Sequence, residues 1–174
     1  LLGQAVNSHP KFVNILKEVN KIKDVNRISF ASPHPIHMTK DVIGALALSK
    51  MINYLHLPVQ SGNNEILRKM NRNYTREKYL RIIEKVKKAR PNIVLATDII
   101  VGFPGETRRQ FQDTVSLYKK CDFDMSYTAM YSSRTGTSAH SALKDNVPHK
   151  EKRRRWRVLQ DLMEKNVLRK NKKY

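Results

Sequence analysis

The sequence predicts an α/β fold, a partial (β/α) TIM-like barrel, from three observations. Short apolar runs alternate with stretches of helical periodicity, the mark of βα units that build a parallel sheet. Ile93–Val101 is a nearly continuous apolar run, as in a strand covered on both faces. Small and polar residues gather directly after the apolar runs: Gly3, Gln4 and Asn7; Ser32 and His34; Gln60 and Ser61; Gly102 and Glu106; Tyr131, Ser132 and Arg134. A doubly wound sheet shares the alternation. A barrel mouth is what brings the loops after all the strands around one opening.

Taken in order, Leu1–Val6 reads as the end of a strand. Phe12, Ile15, Leu16, Val19 and Ile22 recur at helical spacing, with Pro10 placed for a first turn. Arg27–Ala31 is the second strand, and Thr39 caps a helix through Leu48. Asn53–Val59 is the third strand. A short helix covers Asn63–Met70, and a longer one starts at Thr75, where Tyr74 and Tyr79 occupy the two positions of a hydrophobic staple and Pro91 marks the end. Ile93–Val101 is the fourth strand, with Asp98 out of place inside it. Thr107 and Gln110 form a capping-box pair for a helix to about Lys120. Met125–Tyr131 is the fifth strand, and residues 132–147 form a loop rich in Ser, Thr and Gly. Pro148 opens a long helix with Trp156, Leu159, Met163 and Val167 on one side and its Arg and Lys on the other.

A chain of 174 residues, 40% hydrophobic, is long enough for one core. The 34 Lys+Arg against 15 Asp+Glu leave a net charge of +19, which implies a polyanionic partner or a very basic proteome and favours nucleic acid. The excess is concentrated in residues 64–90 and 148–174. A single cysteine, Cys121, excludes an internal disulfide framework and fits a reducing, cytoplasmic setting. No apolar run is long enough to span a membrane and no signal-peptide pattern precedes the first helix, so no membrane partner is expected. Leu1, standing in strand-like sequence without a Met, suggests truncation at the N-terminus.

Several residues invite chemistry. Gly102 and Gly105 around Phe103-Pro104 let backbone approach a flat ligand, since no Cβ intervenes, although an ordinary βα turn explains a Gly-x-x-Gly read alone. His56, Pro58, Gln60 and Ser61 at the end of one apolar strand are more specific; His56 by itself is more often a satisfied core residue. Arg134 suits a carboxylate or phosphate as well as it suits a surface salt bridge. Ser32-Pro33-His34-Pro35 is a rigid loop tip.

In sequence order, LLGQAVNS, SFASPHP, LHLPVQSG, LRKMNRNYT, TDIIVGFPGET and YSSRTGT resemble successive segments of the radical S-adenosylmethionine domain of the tRNA methylthiotransferases. SPHP and HLPVQSG are similar to the branch that modifies isopentenyl-adenosine beside the anticodon; the branch acting on threonylcarbamoyl-adenosine is the nearest alternative. The resemblance implies a barrel of radical S-adenosylmethionine type, truncated at its N-terminus. Residues 1–147 are then the C-terminal part of that barrel, and 148–174 a basic helix leading to an RNA-binding domain.

It also implies S-adenosylmethionine as cofactor and two 4Fe-4S clusters in the full-length protein, their cysteines outside this chain. The implied partners are the tRNA anticodon stem-loop and an electron donor. Carried over, Gly3, Gln4 and Asn7 would lie near the methionine part of the cofactor, Gln60 and Ser61 near its ribose, and Gly102, Phe103 and Gly105 near its adenine. His34, Tyr131, Ser132 and Arg134 would form the rim or meet substrate, and Asp98 would be a polar anchor deep in the barrel. Ala5 stands where the family usually has Asn or Asp, and Arg108 and Arg109 replace a common acidic pair. A non-catalytic RNA-binding remnant is the alternative of a different class.

Overall fold

The computed structural model describes residues 1–172. Strands β1 (Tyr54–His56), β2 (Val94–Val101) and β3 (Met125–Met130) form a parallel sheet in the order β1-β2-β3. The helices are α1 (Phe12–Lys21), α2 (Lys40–Ala45), α3 (Asn64–Lys69), α4 (Arg76–Ala89), α5 (Arg108–Cys121), α6 (Ser138–Ala142) and α7 (His149–Asn171). Crossovers through α3–α4 and α5 join the parallel strands, so the loops after β1, β2 and β3 emerge at one end of the sheet.

Two of the predicted strands are extended segments that never become strands. Ile28 makes a single parallel bridge to Met51. The Leu1 amine donates to Ser29 O at 2.8 Å and Leu1 O accepts from Ala31 N at 3.0 Å. Each ladder is cut short by its sequence. Residues 3–5 bend into a 3₁₀ turn at Val6–Ser8, and Ser32 turns left-handed at φ 51° ahead of Pro33 and Pro35, which have no N–H to donate.

The third predicted strand is interrupted rather than absent. His56 pairs with Ala96 but Gln60 pairs with Ile99, so one extra residue is accommodated on the β1 side as a bulge around Pro58. The Thr97 hydroxyl repairs the gap, accepting from Val59 N and donating to Leu57 O, each at 3.0 Å.

The capping threonines behave as the sequence predicts, although α2 stops at Ala45 rather than Leu48 and Pro10 lies just ahead of α1 instead of in its first turn. Thr39, Thr75 and Thr107 cap α2, α4 and α5, and Thr107 forms the full box with Gln110. Tyr74 and Tyr79 sit with ring centroids 6.4 Å apart, and both are buried, so the staple fixes how the chain enters α4. α4 and α5 cover one face of the sheet through Tyr79, Ile83, Val86, Phe111 and Tyr118. Fully burying a side chain of this size contributes about 1.5–3 kcal/mol.

Two expectations about the C-terminal third are corrected. The 132–147 loop contains α6, because Thr137 accepts from His140 N and starts a helical turn. The basic residues of α7 are not confined to its outer side: Lys152 and Arg155 share the buried side with Leu159. That stripe closes α7 onto β3, with Trp156 Nε1 donating to Thr128 O at 2.9 Å on the edge strand. Lys173 and Tyr174, the end of the predicted basic helix, lie outside the described residues.

Candidate functional site

The first four handovers from extended segment to loop each contain a residue in the left-handed region. They are Ala5 at φ 47°, Ser32 at 51°, Gln60 at 66° and Gly102 at 71°. For Ala5, Ser32 and Gln60 this conformation is strained, and such strain concentrates at binding sites. Ala5, Ser32 and Gln60 line one cleft of about 440 Å³, together with Gln4, His34 and Arg72. Ala5 and Ser32 stand out in the sequence but their left-handed backbone does not, and Arg72 carries no local signal at all.

Gln60 is held by its backbone and free at its side chain. Its N–H donates to Asp98 O at 2.8 Å and its carbonyl accepts from Ile100 N at 3.0 Å. Its carboxamide bonds no protein group among the described residues, and it lines both this cleft and a second one of about 630 Å³ over the inner face of β2 and β3. Ser61, next along, is fully buried with its hydroxyl 3.4 Å from that of Thr114, so it fastens the loop to α5.

Asn7 fastens another loop. Its carboxamide donates to His34 O at 3.0 Å and accepts from His34 N at 2.8 Å, a reciprocal clamp that brings the first two loops together. Burial foremost, then the nearby Arg72 and His37, lowers the His34 imidazole below its ordinary value, which favours the neutral ring. Tyr74 packs edge-on against that ring at 5.6 Å and donates to Val59 O at 3.1 Å. Gly3 and Gln4 are exposed at the rim.

The loop after β2 is tied to α7. Gly102 N donates to Glu106 Oε2, and Arg155 Nη1 donates to the same oxygen, both at 2.7 Å. Lys152 lays its stem over Gly102 and donates through Nζ to Tyr131 O at 2.9 Å and Asp145 Oδ2 at 2.7 Å. Phe103 is buried and meets Tyr131 edge-on at 5.1 Å. Gly105 N donates to Asn146 Oδ1 at 2.7 Å. One helix therefore positions the loops after both β2 and β3. Ser132 and Arg134 are exposed on the last of these loops, and no protein acid pairs with Arg134 among the described residues.

On the inner face of the sheet, His56 Nε2 and Asp98 Oδ1 lie 2.9 Å apart and half-exposed. His56 is not a core residue, and Asp98 is reachable from solvent.

The sequence pattern of the Radical SAM superfamily matches residues 1–118, more than half of the chain. The chain belongs to the radical SAM superfamily. A tRNA-2-methylthio-N(6)-dimethylallyladenosine synthase of Clostridium botulinum (strain Hall) is 47% identical over the whole of this chain. Proteins of the same name from Caldicellulosiruptor saccharolyticus and Clostridium tetani are 45% identical over 98% of the chain and 43% identical over all of it. The chain spans 38–40% of the length of these relatives. Among solved structures, coproporphyrinogen III oxidase of Escherichia coli, a radical SAM enzyme, superposes with a TM-score of 0.69 at 19% identity, covering 90% of this chain and 38% of that one. That likeness establishes the fold: an α/β, partial radical SAM barrel.

Membership implies S-adenosylmethionine and a 4Fe-4S cluster. The rim suits the first, since Gln60 presents an unengaged carboxamide beside the strained turns at Ala5 and Ser32. The described residues do not suit the second. They hold no group of three His, Cys, Asp or Glu able to take a metal, and Cys121 is fully buried at the last position of α5, the opposite end of the sheet. No helix of the structure is long and apolar enough to cross a membrane.

Proposed function

We propose that this chain is part of a radical S-adenosylmethionine enzyme that methylthiolates isopentenyl-adenosine next to the anticodon of tRNA. The observation that carries the reading is the convergence of three left-handed turns, at Ala5, Ser32 and Gln60, on one cleft, in a chain 47% identical to a synthase named for that product. Held by this chain, S-adenosylmethionine would supply the adenosyl group for radical chemistry at the base, with a cluster whose ligands lie elsewhere in the full-length protein. The chain's residues orient and shield. Gly3, Gln4 and Asn7 take the methionine end of the cofactor, Asn7 by holding the His34 loop. Gln60, backed by Ser61, takes the ribose, and the loop of Gly102, Phe103 and Gly105 meets the adenine through its backbone, since Lys152 covers the Cβ-free face of Gly102 and Phe103 is buried beneath. His34, Tyr131, Ser132 and Arg134 form the rim that the RNA meets, Arg134 as a phosphate ligand.

The full-length enzyme uses two 4Fe-4S clusters whose ligands lie elsewhere in that protein, receives electrons from a separate donor and works in the cytoplasm on the tRNA anticodon stem-loop. Residues 1–147 supply the barrel part, and 148–174 lead from it to an RNA-binding domain. The net charge of +19 suits this partner. The test is reconstitution of the full-length protein with iron and sulfide, followed by mass spectrometry of tRNA digests. Appearance of the 2-methylthio nucleoside with consumption of S-adenosylmethionine is expected. Cofactor cleavage without a modified nucleoside would overturn the substrate, and no cleavage would overturn the enzyme.

A further inference from the structure

The His56–Asp98 pair is left without a role by everything above. It lies on the inner face of the sheet directly below the rim, because Gln60 pairs with Ile99 and donates its N–H to Asp98 O. Its neighbours are aromatic. The ring of Tyr127 is 5.5 Å from that of His56 and Tyr127 is 53% exposed, while Tyr54 on the same face is 37% exposed. Barrel interiors are ordinarily filled by bulky branched apolar side chains. Here that layer presents an acid, an imidazole and two phenols, and the cleft of about 630 Å³ above Asp98 and Tyr127 continues past Gln60 to the rim.

The chemistry of the set is selective. His56 fixes Asp98 through one carboxylate oxygen, and no other side chain bonds the carboxylate among the described residues. An ionised carboxylate only accepts hydrogen bonds, so it selects a donor in the ligand. An exposed phenol ring alongside is a stacking surface for any base. A donor on the edge of a stackable ring is the pattern of the exocyclic amine of adenine.

We infer that Asp98, oriented by His56 and flanked by Tyr127, receives the exocyclic N–H of the target adenine beneath the cofactor rim. This rests on the proposed function and names the group of that site that reads the base. His56 is a positioning residue; Asp98 and Tyr127 touch the substrate.

The test uses the reconstituted full-length protein and two anticodon stem-loop RNAs, one with isopentenyl-adenosine at the target position and one with the isosteric 6-alkoxypurine, oxygen replacing N–H. The wild type should bind the first about tenfold more tightly, the scale of one good base-edge contact. Asp98→Ala and, to a lesser degree, His56→Ala should erase that preference. Tyr127→Leu should weaken both RNAs about tenfold and leave the preference standing, because stacking is indifferent to the edge. Affinity for S-adenosylhomocysteine should stay within about twofold in all three, as for independent sites. Retention of the preference in Asp98→Ala would overturn the inference and leave the proposed function intact. A parallel loss of S-adenosylhomocysteine affinity would also overturn it, assigning the pair to the cofactor pocket. Wild-type protein that fails to distinguish either RNA from a scrambled stem-loop would sink the proposed function and this inference with it.

Discussion

Arg155 and Glu106 form an ion pair at 2.7 Å with side chains only 4% and 1% exposed, joining α7 to the loop after β2. Burial raises the Glu106 carboxyl above its ordinary value, while the Gly102 N–H and the Arg155 guanidinium pull it down. A buried pair of this kind contributes little net stability against an apolar replacement, but removing one partner strands the other. Arg155→Met should therefore cost about 3–5 kcal/mol. Glu106→Gln should cost less, since the neutral amide is cheaper to bury. Urea unfolding of the full-length protein checks both, and no loss in Glu106→Gln would show that the charge on Glu106 is immaterial.

Gly102 lies under Lys152 in a way no other residue type permits. A Cβ built there meets Lys152 Cγ at 2.4 Å, and φ is +71°. Gly102→Ala should lose about 1–3 kcal/mol from overpacking and backbone strain combined. It should also displace the loop assigned to the adenine, weakening S-adenosylhomocysteine binding. Gly44→Ala is the control. Gly44 sits inside α2 with nothing within 4 Å of its would-be Cβ, so that change should stabilise by about 0.5–1 kcal/mol. Thermal unfolding of the two variants should move in opposite directions.

What could be read in advance from the chain follows from how local each signal is. Thr107 with Gln110 and Tyr74 with Tyr79 are contacts a few residues apart, and both formed as the spacing implied. β2 was legible because Val94–Val101 is apolar apart from Thr97 and Asp98. Leu1–Val6 and Arg27–Ala31 misled because strandedness depends on a partner ladder, and theirs ends at Ser32 and its prolines. Pro58 was visible, yet its consequence, a bulge repaired by Thr97, involves a residue 39 positions on. Of the site residues named from the chain, Gln4, His34 and Gln60 line one cleft. Asn7 and Ser61, however, hold loops through bonds to His34 and Thr114, which no spacing reveals. Lys152 and Arg155 looked like part of a solvated face because their counter-ions, Asp145 and Glu106, come from other turns of the fold.

Ala5 occupies the left-handed region at φ 47°, ψ 43°. That conformation costs an L-residue with a plain Cβ about 1–2 kcal/mol, and Asn tolerates it better because its short side chain bonds locally. Ala5→Asn should accordingly raise stability by up to about 1 kcal/mol. A higher midpoint of thermal unfolding is the readout; an unchanged midpoint would mean the turn relaxes in solution.

Cys121 is fully buried among Tyr118, Phe123 and their neighbours. Burial pushes its thiol up to about 12, and Lys87 and Arg76 only partly offset this. The thiolate is the reactive species, so iodoacetamide at pH 8 should leave Cys121 unmodified in the native protein and alkylate it in guanidinium. Mass spectrometry of the two samples decides, and rapid native labelling would place the end of α5 in the open.

Glu151 sits in the first turn of α7 between two arginines. Arg154 binds it through both nitrogens at 2.7 Å and Arg155 Nε adds a third contact at 2.9 Å. The Arg154 hydrogen bonds foremost, then Arg155, take the carboxyl down to about 2 from its ordinary 4.5. A carboxyl lowered on folding stabilises when ionised. Its contribution is complete above the unfolded value near 4.5 and is lost as pH falls through about 2. Because the carboxylate is partly exposed, the effect is modest and is screened by salt. Carbon-detected NMR should show the Glu151 carboxyl titrating well below the exposed glutamates. In Glu151→Gln the acid limb of the stability profile should flatten, and added salt should flatten the wild-type limb in the same way. An unshifted Glu151 resonance would mean that the arginine clamp does not persist in solution, leaving Arg155 free to pair with Glu106 alone.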